Sequence, residues 1–126
     1  ISSSKFSVEI ANKYPFIYAI CGVSPNDVKE DIGDNEELLK NLEEILKQDD
    51  NKRVVAVGEI GLDYYWNKEN KEIQKTLFKK QIELANKYNY PIVIHTREAT
   101  EDTIKILKEN KVPNNFLEPN YECNIC

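Results

Sequence analysis

The sequence lacks methionine and a long apolar segment. Because it begins with Ile1 and contains no methionine, we expect a fragment or a processed chain. No apolar run approaches the ~20 residues that a membrane-spanning helix requires. Residues 1–13 do not show the basic and then apolar order of a signal peptide. These absences predict a soluble chain without a membrane partner.

Cysteine and uninterrupted positive charge are also scarce. The three cysteines, one of them in the apolar run IYAICGV, do not make a disulfide framework. We therefore expect a reducing compartment, the cytoplasm by default, with the nucleus as the alternative. The formal net charge is -5 and no lysine or arginine cluster is free of interleaved acids, which opposes long-range attraction to nucleic acid. A DNA substrate would therefore need a specific site.

Hydrophobic residues (40%) and charged residues (31%) occur in the proportions of a folded domain. Apolar residues recur at helical spacing in some segments and form short continuous runs in others, and the two kinds of segment alternate. This alternation predicts right-handed crossovers and a parallel sheet. The predicted elements are a helix at 4–14, a strand at 16–23, a helix at 34–48 capped by Asp34 and Asn35, a strand at 53–57, a helix at 72–88, a strand at 90–94 and a helix at 100–109.

We predict one domain over residues 1–110 and an irregular tail over residues 111–126. The tail contains two prolines and four asparagines and shows no periodicity. Its Cys123 and Cys126 form a C-x-x-C pair, but no second cysteine or histidine pair lies near them in the sequence, so we assign them no role. A complete (β/α)8 barrel needs about 250 residues, so a barrel formed by this chain would be partial.

Two predicted strands are followed directly by side chains of metal-binding type. Glu59 follows VVAV and lies between Gly58 and Gly61, which would allow the backbone to turn tightly. His95, the single histidine, follows YPIVI. In parallel α/β folds the active site forms at the carboxyl ends of the strands, so Glu59 and His95 should lie close enough to share a metal ion. The plainer interpretations are a solvated loop acid and a structural histidine.

A divalent ion held by a carboxylate and an imidazole supplies hydrolytic chemistry. Such an ion can lower the pKa of a bound water toward ~7 and polarise a phosphoryl oxygen. The pair of Glu59 and His95 therefore indicates metal-dependent hydrolysis.

Three segments carry a resemblance to a known family. GEIGLDYYW (58–66), QKTLFKKQIELANKYNYPIVIHTREA (74–99) and TIKIL (103–107) resemble the TatD family of deoxyribonucleases. The resemblance implies a partial (β/α)8 TIM barrel of about three consecutive βα units with parallel strands. It also implies hydrolysis of DNA with divalent metal ions, Mg with Mn or Zn as alternatives, two of them in the complete enzyme. Glu59 and His95 would then be metal ligands and catalytic residues, with DNA as the substrate.

Other residues of the matching motifs are weaker candidates for substrate binding. Asp63 and Arg97 match the family pattern, and the guanidinium of Arg97 suits bidentate contact with a phosphate. A salt bridge at the barrel rim is the alternative for Arg97. Tyr64, Tyr65 and Trp66 would either stack on unpaired bases or pack over the mouth of the barrel.

The chain also departs from the family pattern. The family has a His-x-His pair on its first strand and a further histidine and aspartate on later strands, and none of these is present. Where relatives have G-x-H-P-H, residues 22–26 are GVSPN. Two protein ligands should bind a metal weakly, so we expect the chain to be inactive alone. Open edges would require missing barrel segments or self-association to cover them.

Two alternatives to a deoxyribonuclease stay open. The same metal scaffold would serve a hydrolase of lactones or amides, as in related amidohydrolase barrels. A catalytically dead barrel remnant would instead act as an assembly module, because most of the metal ligands are absent from the chain.

Overall fold

The computed structural model of the chain describes residues 2–66 and 68–111. Helices and strands alternate in the order that the sequence predicts. The elements are α1 (Ser2–Lys13), β1 (Ala19–Cys21), a short 3-10 helix (Pro25–Asp27), α2 (Ile32–Lys47), β2 (Val54–Asp63), α3 (Lys71–Tyr88), β3 (Ile92–Arg97) and α4 (Thr100–Glu109). The predicted tail with Cys123 and Cys126 lies outside the described residues, and the domain boundary at residue 110 stays a prediction. None of the described helices is long and apolar enough to cross a membrane.

The three strands form one parallel sheet with β2 in the middle. Ala19 pairs with Val54 across β1 and β2, and Gly61 pairs with His95 across β2 and β3. Helices α1, α3 and α4 pack against β1, β2 and β3 respectively, and α2 packs against α3. Within residues 2–66 and 68–111 no other strand joins the sheet, so the outer edges of β1 and β3 are unpaired. The α/β class and the parallel strands are confirmed.

The hydrophobic core lies between the sheet and the helices. Leu42 of α2, Ile60 of β2 and Phe78 of α3 are fully buried in it. Burial of each such side chain contributes about 1.5–3 kcal/mol to folding. By contrast, Ile20 of β1 and Val55 of β2 are each 43% exposed. Because successive strand side chains point to opposite faces, the helices cover one face of the sheet while part of the other stays open in the described region.

Strand β2 is longer than the sequence predicts. The prediction that it ends at residue 57 is wrong, because β2 continues to Asp63 and contains Glu59. Gly58 and Gly61, which suggested a turn, instead allow β2 and β3 to approach each other closely. A Cβ atom on Gly58 would lie 2.7 Å from the Cβ of Val93, and one on Gly61 would lie 1.9 Å from the carbonyl oxygen of His95. Similarly, β3 does not end before His95 but continues to Arg97.

Strand β1 and helix α2 also differ from the predicted bounds. Only Ala19–Cys21 of the predicted strand at 16–23 forms a strand. The prediction that Asp34 and Asn35 cap α2 is wrong: the cap is Asp31, whose Oδ1 accepts hydrogen bonds from the backbone N–H groups of Gly33 (2.7 Å) and Asp34 (3.3 Å). Asn35 is buried and exchanges two hydrogen bonds with the backbone of Lys29. Sequence spacing missed this start because Ile32 and Gly33 lie outside the regular apolar stripe.

Candidate metal centre

Glu59 and His95 meet where β2 and β3 run side by side. The paired positions of the two strands include Gly61 with His95, so Glu59 lies two residues before the partner of His95. The Oε2 atom of Glu59 is 3.9 Å from the Nδ1 atom of His95. The Glu59 side chain is 59% exposed and that of His95 is 23% exposed. The structure therefore brings together the two residues that the sequence singled out as metal ligands, and leaves both accessible from solution.

The separation between Glu59 and His95 is within reach of a shared metal ion. At 3.9 Å the two atoms are too far apart for a hydrogen bond. Metal bonds to carboxylate oxygen and imidazole nitrogen are each about 2.0–2.2 Å long, so both atoms are within reach of one ion, and a rotation of the exposed Glu59 side chain would bring them to the shorter separation that a tetrahedral or octahedral ion requires. Among residues 2–66 and 68–111 no group of three or more His, Cys, Asp or Glu side chains could hold a metal ion. Within that part of the chain Glu59 and His95 are therefore the two candidate ligands.

The carboxylate of Asp63 contacts the other ring nitrogen of His95, Nε2. Its Oδ2 atom is 3.0 Å from Nε2 of His95, and its side chain is 1% exposed. The carboxylate also accepts hydrogen bonds from the backbone N–H of Tyr65 at 3.0 Å and from Nδ2 of Asn26 at 3.4 Å. The sequence predicted Asp63 as a weak substrate contact. In the structure its carboxylate is closed to solvent and faces the imidazole.

Two opposing effects act on the pKa of Asp63. Burial is the largest of them and by itself would raise the pKa. The hydrogen bond from His95 and those from the backbone N–H groups of Tyr65 and Trp66 lower it, as does the side chain of Asn26. Together these hydrogen bonds outweigh burial and bring the pKa below its ordinary value, so Asp63 is ionised at neutral pH.

Two buried glutamines of α3 hold the backbone around this site, and sequence reasoning missed them. Gln74 accepts a hydrogen bond from the N–H of Asp63 (2.8 Å) and donates one to its carbonyl oxygen (3.0 Å). Gln81 makes the same pair of bonds with Val23, at 2.7 and 3.0 Å. Residues seven apart lie on one face of a helix, so their spacing was the available signal. The loop that departs from the family pattern, which contains Val23 and Asn26, is thus tied to α3 and Asp63.

Arg97 lies against the exposed aromatic rings that follow β2. Its guanidinium carbon is 3.9 Å from the ring centre of Tyr65 and 5.7 Å from that of Trp66. Tyr65 and Trp66 are 44% and 68% exposed. In the described part of the chain no carboxylate lies within salt-bridge distance of Arg97. Arg97 and His95 are two residues apart on β3 and therefore point to the same face of the sheet.

Tyr64 differs from its two aromatic neighbours because it is a packing residue. It is buried in the core, and its hydroxyl donates a 2.7 Å hydrogen bond to Oδ2 of Asp102. Burial and this hydrogen bond both raise the pKa of Tyr64 above its ordinary value. Asp102 in turn forms a 3.3 Å salt bridge with Lys75. Tyr64 thus joins β2 to α4 and is not available to stack on a substrate.

Proteins of known family resemble this chain over most of its length. A family model described as TatD related DNase matches residues 1–118. "Uncharacterized metal-dependent hydrolase YabD" of Bacillus subtilis (strain 168) is 47% identical over 103 residues, which cover 82% of this chain and 38% of that protein. "Uncharacterized metal-dependent hydrolase YcfH" of Escherichia coli (strain K12) is 40% identical over 92 residues, which cover 73% of this chain and 32% of that protein.

Two solved structures share the fold. One is YjjV, a TatD homologue from Escherichia coli K12, with a TM-score of 0.77 and 29% identity, covering 86% of this chain and 40% of that chain. The other is an uncharacterized amidohydrolase from Saccharomyces cerevisiae, with a TM-score of 0.67 and 27% identity, covering 86% of this chain and 38% of that chain. The chain thus spans less than half the length of these proteins, and its fold is part of a TIM barrel. From the matched motifs, the shared fold and the family model that covers residues 1–118, the chain belongs to the TatD family.

Proposed function

We propose that the full-length protein is a deoxyribonuclease of TatD type that hydrolyses DNA phosphodiester bonds with a divalent metal ion. The observation that carries the proposal is the approach of Glu59 Oε2 to His95 Nδ1, 3.9 Å apart on neighbouring parallel strands. The names of the relatives as metal-dependent hydrolases and the description of the family as TatD related DNase support it. Magnesium is the proposed ion, with manganese or zinc as alternatives, and the complete enzyme would hold two ions.

Glu59, His95 and Arg97 would have different roles at this site. A bound divalent ion would supply a water of lowered pKa and a Lewis acid for the phosphoryl oxygen. Glu59 and His95 would hold that ion, and their exposure leaves room for the scissile phosphate. Arg97 points to the same face of β3 as His95 and has no carboxylate partner among residues 2–66 and 68–111, so its charge is available for a phosphate oxygen.

The acidic character of the chain is compatible with this proposal. A net charge of -5 opposes long-range attraction of DNA. At the site itself, however, the bound ion and Arg97 would provide positive charge close to the substrate. Exposed surface acids elsewhere are screened beyond about 8 Å at physiological ionic strength. We therefore expect DNA to be held by contacts at the site and not by a basic surface of this chain.

Substitution of the two ligands in the full-length protein tests the proposal. We expect Glu59→Ala and His95→Ala each to abolish metal-dependent DNA hydrolysis, measured by release of nucleotides from a labelled oligonucleotide in magnesium or manganese. Glu9→Ala is the matched control because Glu9 is an exposed glutamate on α1 and does not contribute to the site. Wild-type activity in either ligand variant would refute the assignment. Residues 1–126 alone should show negligible activity even in excess metal.

A second candidate reaction is hydrolysis of lactones or cyclic amides. The likeness to a structure titled an amidohydrolase favours it. The same pair of ligands would serve either substrate, since both reactions need an activated water and a polarised oxygen. Metal-dependent turnover of DNA should be compared with turnover of simple lactones by the same preparation. Turnover of the lactone alone by the wild type, and loss of that turnover in Glu59→Ala, would favour this reaction over the nuclease.

A further inference from the structure

His95 has one polar contact on each side of its ring. On one side Nε2 is 3.0 Å from Oδ2 of Asp63, and on the other Nδ1 is 3.9 Å from Oε2 of Glu59. The first distance is that of a hydrogen bond and the second is not. Nε2 is therefore hydrogen-bonded to Asp63, whereas Nδ1 faces Glu59 without a hydrogen bond.

The hydrogen bond to Asp63 decides where the proton of a neutral imidazole lies. An ionised carboxylate has no proton to give and acts only as an acceptor, so Nε2 of His95 must be the donor. A neutral imidazole carries one proton, and its other nitrogen then has a free lone pair. With the proton on Nε2, the lone pair is on Nδ1, on the side of Glu59. This is the nitrogen that a cation between His95 and Glu59 requires.

Asp63 is itself held firmly in place. Its backbone N–H and carbonyl oxygen are both bonded to the Gln74 side chain, which is fully buried. Its Oδ1 atom accepts from the backbone N–H of Tyr65. With the main chain and one carboxylate oxygen fixed, Oδ2 has little freedom and presents a defined acceptor to the ring. Carboxylates that hold a metal-binding histidine in this way set both its orientation and its proton position.

We propose that Asp63 is a positioning residue, which keeps the proton of His95 on Nε2 and aims Nδ1 at Glu59 as the nitrogen that binds the divalent cation. Asp63 does not touch substrate in this arrangement, because its carboxylate is buried behind the ring. The proton position does not depend on what the enzyme hydrolyses. The cation part of the inference rests on the proposed function, since it takes Glu59 and His95 as metal ligands.

Nitrogen NMR of the full-length protein tests the inference without any activity measurement. With histidine labelled by 15N, the ring signals of His95 are the ones that disappear in His95→Gln. In the metal-free wild type, at a pH high enough for the ring to carry a single proton, we expect a protonated Nε2, seen as a solvent-protected N–H, and an unprotonated Nδ1. With 113Cd²⁺ as the probe ion, we expect spin coupling between cadmium and Nδ1. A proton on Nδ1 of the singly protonated ring, or coupling to Nε2, would overturn the proposal in the wild type alone.

Variants of Asp63 provide the second measurement. Asp63→Asn keeps an oxygen for the N–H of Tyr65 but removes the charge that holds the ring proton. We expect the protected Nε2–H to be lost and the affinity for 113Cd²⁺ to fall by about 10–100-fold. Asp49→Asn is the matched control, because Asp49 is another buried carboxylate and accepts hydrogen bonds from Arg53, Val54 and Tyr90 instead. Its substitution should leave the His95 signals and the cadmium affinity unchanged.

The outcomes separate this inference from the proposed function. If Asp63→Asn leaves the His95 proton and the cadmium affinity as in the wild type, Asp63 is not a positioning residue, whatever the substrate. If Asp49→Asn alters the His95 signals to the same degree, the effect of Asp63→Asn is general loosening of the fold and the inference fails. If the NMR results hold while the wild type shows no metal-dependent hydrolysis of DNA, the proposed function fails and the positioning of His95 stands.

Discussion

The bonds between Gln81 and Val23 offer a test of how the chain fixes the loop after β1. Gln81→Leu keeps the volume of the side chain nearly constant but removes both the donor and the acceptor that Val23 uses, at 3.0 and 2.7 Å. Val23 is 2% exposed, so water cannot replace the lost partner. A buried backbone group left without a hydrogen bond costs about 1–3 kcal/mol, and there are two of them. We therefore expect the free energy of unfolding to fall by about 2–6 kcal/mol.

The measurement is urea unfolding of wild-type and variant chains followed by circular dichroism. Gln48→Leu is the matched control, because Gln48 is exposed at the end of α2 and should change the free energy of unfolding by no more than about 0.5 kcal/mol. If Gln81→Leu is as stable as Gln48→Leu, the two hydrogen bonds do not stabilise the fold and the reasoning is refuted. If both variants are destabilised equally, the apolar substitution itself is the cause.

Three further predictions concern other parts of the site and core. Gly61→Ala should lower the free energy of unfolding by at least about 3 kcal/mol, because φ is +145° and the new Cβ would lie 1.9 Å from the His95 carbonyl oxygen; an unchanged urea midpoint would contradict this. Arg97→Ala should weaken DNA binding by the full-length protein and reduce the slope of log binding constant against log salt by about 1, and Arg97→Lys should not restore full affinity. Burial and the hydrogen bond to Asp49 raise the pKa of Tyr90 to about 12, so its contribution to stability should be complete below pH about 10 and lost as the pH rises through about 12. Tyr90→Phe should remove that alkaline loss in pH-dependent unfolding, and an identical alkaline profile would count against it.

The order of the helices and strands and the proximity of Glu59 to His95 were predictable from the sequence, because both follow from patterns along the chain. Continuous apolar runs identify the strands of a parallel sheet, and helical spacing identifies the segments that cover one of its faces. Glu59 and His95 each follow such a run, so parallel pairing was sufficient to predict that they lie close together. The 3.9 Å separation agrees with that prediction, while metal binding itself stays a prediction.

The missed features depend on contacts between distant parts of the chain. Apart from their seven-residue spacing, nothing local distinguishes Gln74 and Gln81 from the polar face of an ordinary helix, because the groups they bond are backbone atoms of other elements. Asp63 matched a motif, yet its hydrogen bond to His95 follows from the register between β2 and β3. The role of Gly61 was mistaken for the same reason: a turn and a close strand contact both require glycine.

The two bonded glutamines also limit how the sequence of α3 can change over evolution. Gln74 and Gln81 are seven residues apart, close to two helical turns, so they lie about 10.5 Å apart along the helix axis. Insertion or deletion of one residue between them would rotate one amide by about 100° away from the backbone groups that it bonds. The length of the segment from 75 to 80 is therefore fixed, even where its exposed residues vary. Relatives that keep both amides should show no gap in this interval, however far the rest of the helix has diverged.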